Sequence, residues 1–361
     1  MPVPLFDTKT PLEPLHAELR AAIESVLTSG AFVLGPEVEA FEREFAAYLG
    51  AGHAVGVANG TEAITIALKA LGVGPGDEVI VPSFTFYASA EAIPPTGATP
   101  VFCDVDPDTF CVTPDTVRAV MTPRTKAIIA VHLFGNVAPV KEIEALGVPV
   151  LEDAAQAAGS RSEQGRPGAL GTIATFSFFP SKNLGAMGDG GAVTTNDAEL
   201  AAKVQMLRFH GSHDKVTFDL VGHNSRLDEM QAALLRVQLP LLDDWSEGRR
   251  AAAGYYAEAG LGELVTLPNA APGAEPAWHL YVILHDRVDD IAAALGQAGI
   301  GSKVYYRVPA HQQPAMREWG DSAKLPVTAK LAQTHLAIPL SPVLSREQAA
   351  EVVGAIRSTL S

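Results

Sequence analysis

The sequence is poor in basic residues and in long apolar runs, and each shortage excludes a class of protein. Its 361 residues carry 26 Lys and Arg against 41 Asp and Glu, a formal net charge of −15. A general nucleic-acid binder needs a basic surface that displaces counterions, so this charge argues against one. No stretch reaches bilayer-spanning length, and the N-terminus lacks a charged start followed by an apolar run. We therefore expect a cytoplasmic protein without nucleic-acid or membrane partners.

Cysteine is also scarce. Cys103 and Cys111 form neither a disulfide framework nor a pattern of metal ligands, and no metal site is predicted. We interpret both as small buried apolar side chains. Apolar residues, by contrast, make up 47% of the chain, which is ample for a large core, and the length favours two domains.

Short apolar runs alternate with helical patterns from His53 onward. Because these runs lack the strict polar alternation of a half-exposed sheet, they predict an α/β fold with a mostly parallel central sheet covered by helices. Ligands of such sheets bind outside the carboxyl ends of the strands. The predicted strands cover residues 53–58, 78–82, 99–105, 126–133, 148–152 and 173–179.

A stretch rich in Pro, Gly and Ala at 260–276 marks the entry to a smaller domain. We predict a large domain over 1–250 and a small C-terminal α+β domain over 251–361, with 1–30 as a candidate for packing against the small domain. The elements predicted beyond residue 276 are strands at 278–284 and 302–306 and helices at 288–298 and 345–360.

Three predicted strand ends carry residues suited to chemistry. Lys182 lies between the sixth strand and a glycine-rich turn, where a lysine can offer its amine to a carbonyl. Gly60 and Thr61 open a helix after the first strand, so N–H groups, the helix dipole and a hydroxyl face an anion. Asp153 ends the fifth strand among apolar residues, where a carboxylate needs a cation or a donor. Each has a plainer alternative: a surface lysine, an ordinary helix start and a helix cap.

Taken together, the three strand ends predict pyridoxal 5′-phosphate as cofactor. They would supply a phosphate cradle, a lysine for the aldehyde, and a carboxylate that keeps the pyridine ring cationic and able to accept electrons. A nucleotide site fits less well, because the glycine-rich segments 72–77 and 185–191 do not match G-x-G-x-x-G. The phosphate-loop pattern G-x-x-x-x-G-K-[ST] is absent from the sequence.

Eight longer segments are distributed over nearly the whole chain. They are GPEVEAFEREFA, ANGTEAITIAL, GPGDEVIVPSFTF, TPRTKAII, VLEDAAQAAG, SFFPSKNLGAMGDGGAV, NSRLDEMQAA and IPLSPVLS. In these segments the chain resembles the DegT/StrS family of pyridoxal-phosphate-dependent sugar aminotransferases. The resemblance implies an aspartate-aminotransferase-like fold of type I and a homodimer whose active sites are shared at the subunit interface.

The resemblance also implies roles for single residues. Lys182 corresponds to the lysine that binds the cofactor aldehyde, and Asp153 to the partner of the pyridine nitrogen. Related dehydratases carry histidine in place of this lysine, so Lys182 favours amino transfer. The remaining cofactor contacts implied are Gly60, Thr61 and Ser177 at the phosphate, Gln156 near the ring hydroxyl, Phe86 stacked on the ring, and Asn224 reaching the phosphate of the neighbouring subunit.

Candidate substrate contacts are Arg226, Tyr305 and Tyr306. Arg226 corresponds to an arginine often found near the substrate of the family. Tyr305-Tyr306-Arg307 stands where many members carry His-Tyr-Pro, a segment near the sugar nucleotide. Arg307 and Lys303 are candidate partners for a pyrophosphate, with a solvated strand end as the alternative.

The implied activity is a ping-pong transfer of an amino group from an amino acid, glutamate in the simplest case, to a nucleotide-linked keto-sugar. NSRLDEMQAA and the C-terminal segment resemble members that aminate the third sugar carbon. The alternatives are amination of a 4-keto sugar nucleotide or a keto-inositol, and a non-catalytic cofactor-binding regulator. A regulator would need a broken lysine or ring carboxylate, and both are intact. A cysteine desulfurase of the same fold would need a cysteine in a glycine-rich mobile loop, where neither cysteine lies.

Overall fold

The structure, a computed structural model, describes residues 3–361, so the first two residues of the predicted N-terminal segment 1–30 lie outside the described residues. Its strands are β1 (His53–Val57), β2 (Glu78–Pro82), β3 (Thr99–Cys103), β4 (Thr125–Val131), β5 (Val150–Asp153), β6 (Arg161–Ser162), β7 (Ile173–Ser177), β8 (Gly191–Thr195), β9 (Ala274–Glu275), β10 (Tyr281–Leu284) and β11 (His335–Ile338). Its α-helices are α1 (His16–Ser29), α2 (Pro36–Leu49), α3 (Gly60–Ala70), α4 (Ala88–Glu91), α5 (Pro114–Arg118), α6 (Val140–Glu144), α7 (Ala198–Arg208), α8 (Glu229–Gln238), α9 (Leu242–Glu258), α10 (Val288–Gln297), α11 (Arg317–Gly320), α12 (Pro326–Thr334) and α13 (Arg346–Leu360).

Seven strands form the central sheet in the order β1-β8-β7-β5-β4-β2-β3. Neighbours pair in parallel except at β8, which is antiparallel to both β1 and β7. Every residue of β2, β5 and β8 is buried, as expected for a sheet covered on both faces. The predicted α/β class with a mostly parallel sheet is therefore confirmed. The strand β8, which directly follows a run of glycines, was not predicted.

The C-terminal part has a second hydrophobic cluster of its own, built around the antiparallel pair β10 and β11. Helices α10 and α13 contribute Ile291 and Val352 to it, both fully buried. Ser345 and Gln348 form the predicted capping box at the start of α13. The proposed division of the chain at residue 250 falls inside α9 and stays a prediction.

The prediction of a strand at 302–306 is wrong. Only Lys303 pairs there, exchanging backbone hydrogen bonds of 3.1 and 2.9 Å with Ala337 at the edge of β11. Beyond that bridge the chain turns away, and Tyr305 and Tyr306 enter a cavity wall instead of a sheet. Among residues 3–361, no helix is both long enough and apolar enough to cross a membrane.

Candidate active site

A cavity of about 580 Å³ lies where β1, β2, β5 and β7 end at their carboxyl termini. It brings together nine predicted site residues from distant parts of the chain. They are Gly60, Thr61, Phe86, Asp153, Gln156, Ser177, Lys182, Tyr305 and Tyr306. The other two, Asn224 and Arg226, do not line it: Asn224 is exposed beside Phe209, and Arg226 is half-buried. Their roles toward a neighbouring subunit stay predictions.

The start of α3 forms an anion cradle in this cavity. Asn59 is extended and its Oδ1 accepts a hydrogen bond of 2.9 Å from the N–H of Glu62. This leaves the N–H groups of Gly60 and Thr61 at the positive end of an 11-residue helix. A Cβ on Gly60 would lie 2.7 Å from the Ser177 Cβ, so a side chain at residue 60 would collide with the opposite wall. The cradle therefore depends on glycine at this position.

Replacing Gly60 with alanine is expected to weaken binding of the predicted cofactor, pyridoxal 5′-phosphate, at least about tenfold, because the overpacked methyl group forces α3 and Ser177 apart. Fluorescence titration of the cofactor-free protein would measure this loss. Gly74→Ala is the matched control, since its Cβ would meet nothing within 4 Å. Equal affinity in Gly60→Ala and wild type would show that the cradle does not hold the phosphate.

Asp153 lies at the end of β5 and is only 5% exposed. Its Oδ2 accepts a hydrogen bond of 2.7 Å from the Ser89 hydroxyl, and its Oδ1 accepts one of 3.2 Å from the Ala155 N–H. Ser89, in the short helix α4, was missed by sequence reasoning, because a serine among small residues gives no signal of a contact with the end of a distant strand. The pair of donors fixes the carboxylate so that it faces the cavity.

The neighbouring Glu152 anchors the end of β5 from the other side of the sheet. It is fully buried and accepts hydrogen bonds from the N–H groups of Gly168, Leu170 and Gly171 at 2.8–3.0 Å. A ring nitrogen of His132 lies 2.9 Å from it. The Glu152 carboxylate thus has its hydrogen-bond partners inside the protein, whereas the Asp153 carboxylate can accept a further hydrogen bond from a ligand in the cavity.

Lys182 enters the cavity from a tight turn after β7. Its N–H donates to the Phe179 carbonyl at 2.8 Å, and a Cβ on Gly185 would come within 2.7 Å of the Pro180 carbonyl oxygen. Burial lowers the pKa of Lys182 to about 8, and the negative charge of Asp153 opposes this shift. At neutral pH the unprotonated fraction of this amine is therefore larger than that of an ordinary lysine, and the unprotonated amine is the nucleophilic form.

An aromatic wall faces the cradle. The Gln156 amide donates to the Tyr306 hydroxyl at 3.1 Å, and its carbonyl oxygen accepts from the Phe134 N–H at 2.7 Å. The rings of Tyr306 and Phe86 have centroids 5.8 Å apart. Phe86 is 53% exposed and offers an open ring face to a planar ligand. Burial raises the pKa of Tyr306, so its hydroxyl stays neutral.

His279 also lines the cavity and was not predicted. It is buried, its ring stacks on Phe6 at 5.7 Å, and its Nδ1 has no hydrogen-bond partner within 3–361. Burial and the positive charges of Lys182 and Arg249 hold its pKa well below the ordinary value, so the ring is neutral at pH 7. Its position depends on long-range packing of the segment before β10, which no local pattern reveals.

The sequence matches the model of the DegT/DnrJ/EryC1/StrS aminotransferase family over residues 14–357. A UDP-N-acetyl-3-dehydro-alpha-D-glucosamine 3-aminotransferase of Acidithiobacillus ferrooxidans is 46% identical over 362 residues, which are 99% of this chain and 98% of the relative. A pleiotropic regulatory protein of Geobacillus stearothermophilus is also 46% identical, over 98% of this chain and 97% of that protein.

Among solved structures, the DesV protein of Streptomyces venezuelae, crystallised in complex with a ketimine intermediate, superposes with a TM-score of 0.95. It is 45% identical, and the superposition covers 99% of this chain and 98% of that one. The similarity therefore extends from the sheet to both ends of the chain.

Proposed function

Because the chain belongs to the DegT/DnrJ/EryC1/StrS aminotransferase family, we propose that it moves an amino group from an amino acid to the third carbon of a nucleotide-linked keto-sugar. Glutamate is the proposed donor and pyridoxal 5′-phosphate the cofactor. The observation that carries the proposal is one cavity holding a lysine of lowered pKa, a buried carboxylate and a helix N-terminus closed by glycine.

The residues present fit the proposed cofactor. The α3 start and Ser177 would hold the phosphate, Phe86 would stack on the ring, and Asp153 would face its nitrogen. When bound, the cofactor supplies an electron sink for the carbon that loses a proton. Lys182 supplies the amine that holds the cofactor and, once released, carries the proton between carbon atoms at its Nζ.

The rate at which the cofactor-free protein captures pyridoxal 5′-phosphate is expected to rise with pH through a midpoint near 8. Only the unprotonated amine attacks a carbonyl, so capture is slow below the pKa of Lys182 and reaches a plateau above it. An unperturbed lysine would place the midpoint at the ordinary value of 10.5. Stopped-flow absorbance across this pH range would measure the midpoint, and a value above about 10 would contradict the assigned environment of Lys182.

The substrate assignment is supported by the activity for which the Acidithiobacillus relative is named, amination at the third carbon of a UDP-linked sugar. A turnover screen with glutamate against 3-keto and 4-keto sugar nucleotides, both UDP- and dTDP-linked, tests it. We expect 2-oxoglutarate to form with a 3-keto substrate, with the new amine located at that carbon by NMR. Turnover confined to 4-keto sugars or to a keto-inositol would overturn the assigned position.

The regulatory name of the Geobacillus relative favours one second candidate, a non-catalytic cofactor-binding regulator. Such a protein has no need of a free lysine and a ring carboxylate, and this chain retains both. Cofactor binding without turnover on the whole substrate panel would support the regulator.

The proposed active unit is a homodimer with shared active sites. In residues 3–361, Lys182 is the one Lys or Arg that lines the cavity, whereas Glu62, Asp153 and Asp189 add negative charge. A bound phosphate would need further positive or donor groups. Asn224 and Arg226 of a second copy are the proposed source.

A further inference from the structure

A second cavity of about 240 Å³ adjoins the first. The two share Phe6, Ser181 and Lys182 in their walls, so they meet at the reactive lysine. Arg249 and Asn183 lie in the wall of the second cavity together with a set of apolar residues. Besides the shared Phe6, the apolar members are Pro11, Leu12, Pro180, Ala186, Met187, Trp245 and Pro342.

Arg249 is a buried charged residue in the wall of this second cavity, and it has no anionic partner within residues 3–361. Its side chain, on α9, is 7% exposed and donates to the carbonyls of Trp278 and Leu340 at 3.2 and 3.3 Å. Both bonds are long for a charge-assisted contact, which is normally about 2.7–2.9 Å. No carboxylate within residues 3–361 forms an ion pair with it, and burial lowers its pKa only to about 10. Arg249 is thus a buried guanidinium that stays charged at pH 7 without an anion.

Asn183, in the wall of the same cavity, also has a polar atom without a partner among the described residues. Asn183 is 7% exposed; its amide nitrogen donates to the Ala277 carbonyl at 3.0 Å, but its Oδ1 has no partner within 3–361. The positive charge of Arg249 reaches His279 in the first cavity, where it helps to keep that ring neutral. Asp7 is the one carboxylate in the second cavity's wall, and its Oδ1 already caps the N–H groups of Lys9 and Thr10 at 3.1 and 2.8 Å.

We propose that the second cavity is the donor subsite, in which Arg249 binds a carboxylate of the amino acid while its amine lies at Lys182. This inference rests on the proposed function and names the binding place of its first substrate. A guanidinium prefers a carboxylate in bidentate geometry, and the unpartnered Asn183 Oδ1 accepts from a donor such as an ammonium group. The apolar side chains in the cavity wall suit the methylene groups of a five-carbon dicarboxylate.

Arg249→Gln tests the subsite directly. Isothermal titration of the cofactor-loaded protein with glutarate, a dicarboxylate that cannot react, is expected to give a Kd at least about tenfold weaker in the variant. The half-saturating concentration of glutamate should rise by a similar factor, while the KM for the keto-sugar changes less than about twofold. Arg250→Gln is the matched control, because Arg250 pairs with Glu247 and lines neither cavity. Unchanged glutarate binding, or equal rises in both KM values, would overturn the inference.

A second variant keeps the test valid if loss of the Arg249 contacts prevents folding. Met187 is 47% exposed and lines the same cavity. Met187→Glu places a negative charge at the cavity entrance, and Met187→Gln is its uncharged equivalent. Glutarate should bind at least about threefold more weakly to the Glu variant than to the Gln variant, with the difference shrinking at high salt. Equal binding by the two variants would contradict an anion site here.

The first half of the reaction separates this inference from the proposed function. Glutamate alone should change the absorbance of the cofactor in the wild-type protein, without any sugar. If that change occurs and Arg249→Gln leaves its glutamate dependence intact, the donor subsite is wrong and the aminotransferase assignment stands. If no amino acid produces the change, the proposed function itself fails.

Discussion

Lys182→Ala is expected to lower turnover by at least about 10⁴-fold and to abolish borohydride-stable attachment of the cofactor to the chain. In the proposed mechanism the variant loses both the nucleophilic amine and the group that carries the proton, and general acid–base catalysis alone contributes about 10²–10⁴-fold. The proposed phosphate cradle at Gly60 and the proposed ring partner Asp153 remain, so the cofactor should still bind non-covalently. A small amine such as methylamine should restore part of the activity, because the deleted side chain leaves room beside Asp153.

Lys141→Ala is the control for this prediction. Lys141 is 51% exposed and pairs only with Glu144 one helical turn away, a surface ion pair that contributes little to stability. Peptide mapping after borohydride reduction should find the cofactor on the Lys182 peptide in wild type and in Lys141→Ala. Cofactor attached elsewhere, or turnover by Lys182→Ala within tenfold of wild type, would refute the assignment of the lysine.

The sheet was largely predictable because its physical cause is local. Buried parallel strands must be apolar on both faces, and β2 and β4 show this in continuous runs. The strand β8 escaped prediction because its five residues, Gly191–Thr195, carry two threonines and follow a glycine-rich turn. Its burial comes from antiparallel pairing between β1 and β7, which sequence spacing does not encode.

The cavity residues that could be predicted from the sequence are those at the carboxyl ends of strands. Gly60, Asp153 and Lys182 follow three different strands, and the common orientation of β1, β5 and β7 brings their carboxyl ends to one edge. Tyr305 and Tyr306 were named from family resemblance, on a segment wrongly predicted as a strand. They lie in the cavity wall because the chain pairs with the edge of β11 only at Lys303 and then turns away from it.

The groups that sequence reasoning missed act through long-range contacts. Ser89 reaches Asp153 across 64 residues, and Arg249 reaches the Leu340 carbonyl across 91. A serine in a short helix and an arginine in a charged helix are ordinary in sequence. Only the packed structure shows that one orients a carboxylate and that the other is buried without an anion.

Asp153→Asn is expected to reduce kcat by about 10³-fold while leaving the cofactor-free protein folded. The amide has nearly the same shape and can keep the hydrogen bond to Ser89, but it cannot stabilise a positive charge on the pyridine nitrogen. The electron sink is thereby weakened, and every proton transfer at Nζ of Lys182 is slowed. Removing a buried negative charge should not destabilise the cofactor-free fold, since stability and activity often conflict at such sites.

Asp153→Asn should also shift the pH midpoint at which Lys182 captures the cofactor. The Asp153 charge raises the pKa of the lysine against the effect of burial, so its removal should move the capture midpoint below about 8. Kinetic assays, thermal unfolding and stopped-flow capture on one preparation would separate the two effects. Ser89→Ala, which loses one hydrogen bond to the carboxylate but keeps its charge, should lower kcat only about tenfold and leave the midpoint nearly unchanged. A midpoint in Asp153→Asn equal to or above that of wild type would mean that the carboxylate and the lysine do not share one site.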